Sequence, residues 1–156
     1  MAILRHPIRE AERYLQNARQ ILTDRAKKDG DYYNDTKYVR MAGDTAWKGV
    51  LIALDAALGV KKKMKPKQRP DVHDYQLALH NRDSKMNNVF ISAYESLHKA
   101  LGYDGNPNYM IVQSALTDGQ RLIAWADKHY HPTPDEIAAW ERKPNIFQRI
   151  YSFFFL

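Results

Sequence analysis

The stretch from Asp35 to Gly59, DTKYVRMAGDTAWKGVLIALDAALG, decides the fold. Its first half spaces Tyr38, Met41, Ala42 and Thr45 three and four residues apart, one face of an amphipathic helix. The second half, AWKGVLIALDAALG, is apolar on nearly every side. A helix of that kind lies in the middle of a bundle, or faces a partner as well as its own core. Asn34 or Asp35 supplies an N-cap, and Gly59 follows the last turn, where glycine takes the left-handed conformation without a Cβ penalty. A central helix from about Asp35 to Leu58 is expected.

The flanks repeat the helical signal. Upstream, Ile8, Ala11, Leu15, Ala18 and Leu22 form one stripe of a helix starting at Pro7, with Asp29-Gly30-Asp31 as its stop near Lys28. Downstream, Asp71 caps a third helix whose stripe is Tyr75, Leu79, Met86, Phe90, Ala93, Leu97 and Leu101, closed by Gly102. Its polar run His80–Lys85 leaves open a continuous, kinked or broken helix. Asn106-Pro107 starts a fourth helix reaching Lys128, with Ile111, Ala115, Leu122 and Ala126 on the buried face and Trp125 beside it. Thr133-Pro134-Asp135-Glu136 combines a capping box with proline at the first helical position, so a short fifth helix runs through Trp140. No segment alternates with a period of two, and no sheet is expected. The fold class is therefore all-α: an antiparallel bundle of four main helices and a short fifth, one domain over 1–143, then an apolar tail over 144–156.

Composition excludes several classes. The 156 residues are 44% hydrophobic and 27% charged, which suits one globular domain. No apolar run approaches the roughly 18 residues of a membrane span, and MAILRHPIRE lacks the apolar core of a signal peptide. With no cysteine, disulfides, thiolate catalysis and cysteine-ligated metals are excluded, and a cytoplasmic location is expected. The net charge of +6 comes from one place. Between Val60 and Pro70 stand Lys61, Lys62, Lys63, Lys65, Lys67 and Arg69 with no acid, and the other 18 basic residues are balanced by 18 acidic ones.

That basic segment, interrupted by Pro66 and flanked by Pro70, reads as an exposed loop and is the leading candidate site. Its cations suit an acidic protein or the phosphates of a nucleic acid, giving salt-sensitive affinity. It holds no aromatic residue for base stacking, and the competing reading is that the lysines simply keep a connection solvated. The second candidate is IFQRIYSFFFL, Ile146–Leu156, with Phe147, Ile150, Tyr151 and Phe154 at helical spacing. Five aromatics left in water are unfavourable. Packing in cis or in a dimer is favoured over insertion at a membrane surface, which the segment is too short to span.

Catalytic and metal motifs are weak. Glu95 and His98 share a helix face, as in di-iron bundles, but the pattern occurs once and Phe90 and Leu97 already claim the buried side. The aspartates of the Asp71, His73 and Asp74 group are explained by capping, and His73 with His80 lacks a third ligand. Asp29, Asp31 and Asp35 miss the calcium-loop pattern, since glycine stands second and Arg40 twelfth. No cofactor or metal is expected, nor a phosphate loop or nucleophile elbow.

The residues Arg13-Tyr14-Leu15 with Ala18, then Tyr38-Val39-Arg40-Met41-Ala42-Gly43-Asp44-Thr45-Ala46-Trp47 and Ala53-Leu54-Asp55-Ala56-Ala57-Leu58, resemble HEPN-type helical bundles over about residues 8–128. The chain is also similar to small uncharacterised bacterial proteins built on domains of unknown function. The resemblance implies an antiparallel bundle of four to five helices, often dimeric. Catalytic HEPN members cut RNA with an Arg-x(4–6)-His motif, and this chain departs from it. Arg82 is followed by Asn87, Asn88 and Val89 at the required positions, and Arg121 reaches His129 only after seven residues. The expected function is a non-enzymatic binding or assembly module, a homodimer, with the basic loop contacting an acidic partner. The alternative is an unusual ribonuclease using His80, Arg82, Arg121 and His129.

Overall fold

The computed structural model describes residues 6–141. They fall into two units, Pro7–Tyr130 and a smaller one holding His6 and residues 131–141. The larger unit is all-α apart from one minute hairpin. In chain order it contains α1 (Pro7–Ile21), a π-helical turn (Leu22–Ala26), β1 (Lys28–Asp29), β2 (Tyr32–Tyr33), α2 (Thr36–Leu58), a 3-10 turn (Lys61–Lys63), α3 (Val72–Arg82), α4 (Ser84–Ala93), a second π-helical stretch (Tyr94–Tyr103) and α5 (Tyr109–His129).

α2 is the central element, as its apolar second half implies. It buries Val39, Ala42, Gly43, Ala46, Trp47, Gly49, Val50, Ala53, Leu54 and Leu58. Met41, assigned from its spacing to the buried face, is 44% exposed, and Val39 takes the inward position. Asp35 caps the start by accepting from Lys37 N at 3.1 Å, and Gly59 closes the end at φ +65°. α1 buries the stripe Ile8, Ala11, Leu15 and Ala18, continued by Leu22. The two helices run antiparallel. Asp35 N bonds Ala26 O at the hairpin end, while Gly49 lies against Ala11 and Tyr14 at the other.

Small residues permit the close crossings. A Cβ on Gly49 would stand 2.9 Å from both Ala11 O and Tyr14 Cβ. One on Gly43 would stand 2.6 Å from Leu101 Cβ and Gly102 N, and 2.8 Å from Leu97 O. Real carbons do not approach so closely, so both positions exclude a side chain as long as the helices keep this spacing.

Three helix ends differ from the sequence reading. The first helix ends at Lys27, which itself adopts φ +56°, while Gly30 at φ +61° serves the β1–β2 turn. That hairpin corrects the expectation of no sheet. Its strands are two residues long, too short for a period to register, and it is clipped to the start of α5 by Tyr33 N to Pro107 O and Tyr109 N to Asp31 O, both 2.9 Å. α5 begins at Tyr109, capped by Asn108, because Pro107 is occupied by the hairpin contact; Val112 is buried and Ile111 faces outward. The third arm is broken at Asp83, whose backbone N closes α3 on Leu79 O at 2.7 Å and whose side chain caps α4 through Met86 N at 3.0 Å. It ends at Gly105 in the left-handed conformation; Gly102 instead packs against the Asp44 carboxylate.

In the smaller unit, α6 (Pro134–Glu141) is capped by Thr133, whose hydroxyl accepts from Glu136 N at 3.2 Å, and His6 packs on Trp140 with ring centroids 4.5 Å apart. Phe147, Ile150, Tyr151 and Phe154 lie outside the described residues, as does the boundary proposed at 143. No helix among the described residues is long and apolar enough to cross a membrane.

Candidate functional site: a basic groove beside the central helix

The basic segment leaves α2 under firm control. Val60 is buried and Met64 is packed against the core, so the 3-10 turn Lys61–Lys63 is anchored on both sides. Asp55 holds its start: its carboxylate accepts from Lys61 N at 2.9 Å, and its carbonyl accepts from Gly59 N at 2.7 Å. Asp71 and Asp74 then fix the loop's far end with a reciprocal capping box, at 2.8 and 3.0 Å. The side chains of Lys61, Lys62, Lys63, Lys65, Lys67 and Arg69 are exposed, as the sequence implies.

Because both ends are pinned, Lys61 and Arg69 come together across the loop. They border a groove of about 530 Å³ completed by Tyr14 of α1, Lys48, Leu51 and Ile52 of α2, Pro70, and Tyr75 of α3. Lys62, Lys63, Lys65 and Lys67 stand along the loop outside its lining. None of Lys48, Lys61 and Arg69 is held in an ion pair among the described residues. Tyr75 is 3% exposed, and burial, then the nearby Asp55 and Asp74 carboxylates, push its phenol up to about 12. Its hydroxyl therefore stays protonated at physiological pH.

Lys48 and the two tyrosines were missed in the sequence. Lys48 carried a signal, as the one cation inside an apolar helical half, while Tyr14 and Tyr75 reach the groove only through helix packing. The adjacent aromatics Tyr32 and Tyr33 sit at the hairpin by the opposite end of α2, away from the loop. That helix has 23 residues, so the separation along its axis is about 34 Å.

The remaining candidates are placed elsewhere. Glu95 pairs with Lys99 at 3.1 Å on the surface. His98, which the sequence places off the buried side claimed by Phe90 and Leu97, instead lies between Tyr94 and Trp47, with ring centroids at 5.4 and 5.7 Å. Among the described residues no group of three or more potential ligands is placed to hold a metal ion. His129 stacks on Trp125 at 4.2 Å and its Nδ1 lies 2.8 Å from Trp125 O, while Arg121 extends toward Asp118.

Residues 6–128 match the family described as Domain of unknown function (DUF5618). The chain belongs to this family. The DUF5618 chain is also similar to a solved structure of a protein of unknown function from Dyadobacter fermentans, 38% identical, with a TM-score of 0.70, covering 78% of this chain and 93% of that one. No curated protein matches the chain. The resemblance to small uncharacterised domains thus holds for the DUF5618 chain, and neither match carries the resemblance to HEPN-type bundles.

Proposed function

We propose that this DUF5618 protein is a non-enzymatic binding module that engages an acidic partner through Lys61–Arg69. The observation that supports this reading is the convergence of Lys48, Lys61 and Arg69, all without carboxylate partners among the described residues, on one groove between α1, α2 and α3. Exposed cations held close together repel one another, and a polyanion relieves that repulsion while releasing counterions. Replacing the six basic loop residues by Gln should abolish salt-sensitive binding of oligouridylate and of polyglutamate. Unchanged affinity for both would sink the proposal.

The module is further proposed to act as a homodimer. Support comes from the composition of Ile146–Leu156, with Phe147, Ile150, Tyr151 and Phe154 at helical spacing. Light scattering on the full chain and on a chain ending at Lys143 should show a dimer and a monomer respectively.

A ribonuclease is the second reading. Trp125 Nε1 donates to Asp83 Oδ2 at 3.0 Å, which ties the end of α3 carrying His80 and Arg82 to the end of α5 carrying His129. On that reading, His80→Ala or His129→Ala abolishes RNA cleavage by a folded protein. No cleavage by the purified native chain, with or without divalent metal, rejects it.

A further inference from the structure

The groove and the loop differ in chemistry, and the difference identifies the partner. The groove has aliphatic sides, from the partly buried Leu51 and Ile52 together with Pro70, and Tyr14, Tyr75 and the cations Lys48, Lys61 and Arg69 complete the lining. We infer that the groove takes one apolar side chain of an acidic polypeptide, whose flanking carboxylates lie on the groove cations and along the loop. The inference rests on the proposed binding of an acidic partner and specifies its class.

Two observations favour a polypeptide over a nucleic acid or a single-headed amphiphile. Base recognition along a single strand stacks successive bases on open aromatic faces, and of the groove's two tyrosines Tyr75 is 3% exposed and Tyr14 is half-buried. Aliphatic walls instead match a Leu- or Ile-sized side chain, whose burial is favourable in proportion to the area removed from water. The cations do not stop at the groove: Lys63, Lys65 and Lys67 continue along the exposed loop. One carboxylate or phosphate head would leave them unmatched, whereas Asp and Glu on both sides of an apolar anchor would meet them.

The test uses the full chain and two fluorescent peptides, both built of Asp and Glu, one with a central Leu and the other with a central Ser. The Leu peptide should bind about tenfold more tightly at moderate salt, as one buried apolar side chain implies. Ile52→Ser should erase that advantage while keeping salt-sensitive binding of both peptides. Lys48→Gln, at an exposed position that leaves the core intact, should weaken both. Equal affinity of the two peptides for the native chain overturns the inference and leaves an undiscriminating polyanion surface. Tighter binding of oligouridylate of equal charge reassigns the surface to nucleic acid and equally overturns it. No salt-sensitive binding of any of these probes removes the proposed function as well.

Discussion

Trp125 donates its indole N–H to Asp83 Oδ2 at 3.0 Å, while Oδ1 of the same carboxylate accepts from Met86 N at 3.0 Å. Asp83 therefore ends α3, starts α4 and fastens both to α5, which explains why the third arm breaks at that residue rather than elsewhere in its polar run. Asp83→Ala removes a helix cap and leaves a largely buried indole N–H without its acceptor. The expected loss is about 2–3 kcal/mol in a denaturant titration. Trp125→Phe in the Asp83→Ala background should cost less than in the native chain, because the bond is already gone.

The α2 crossings give a second prediction. Gly43→Ala forces a carbon into the 2.6 Å spaces beside Leu101 Cβ and Gly102 N, and the neighbours are backbone or its first side-chain atom, which cannot swing away. A destabilisation of about 1–3 kcal/mol is expected, despite the better helix propensity of alanine. Thermal melts of Gly43→Ala and Gly49→Ala should both show it. Native-like melts would mean that the helices separate at little cost.

Tyr75 predicts an alkaline transition. Its phenol is raised from 10.0 to about 12, by burial first and then by Asp55 and Asp74. The folded state thus disfavours ionisation: the stabilisation is complete below pH 10 and is lost as pH rises from about 10 to 12. Tyr75→Phe should flatten this part of the pH–stability curve. Tyr33, also raised by burial, accounts for a residual slope.

Loop charge and fold stability should separate cleanly. The side chains of Lys61, Lys62, Lys63, Lys65, Lys67 and Arg69 are exposed, and the loop is held by Val60, Met64 and Asp55. Converting the six to Gln should move Tm by less than about 3 °C, measured by circular dichroism. A large fall would show that the cations support the fold and would weaken their reading as a binding surface.

Elements whose signal spans several turns were legible in the sequence. The stripes Ile8–Leu22 and Tyr75–Leu101 are buried at nearly every expected position because a helix repeats one geometric period, so each added turn restates the same face. The hairpin was not legible, since two-residue strands have no period, and the later start of α5 goes with a bond from Tyr33 N to Pro107 O, a contact 74 positions away in the chain.

The sequence by itself determined that the chain is helical, that Asp35–Gly59 forms its centre, and that its excess charge lies between Val60 and Pro70. Those are local properties: hydrophobic period, caps and charge counts are written along the chain. Tertiary structure alone decided that Lys48, Lys61 and Arg69 share a groove with Tyr14, that His98 turns inward onto Trp47, and that Asp83 binds Trp125. Each depends on how one helix is rotated and spaced against another. That is set by close packing at Gly43, Gly49 and their neighbours, over distances that no local pattern encodes.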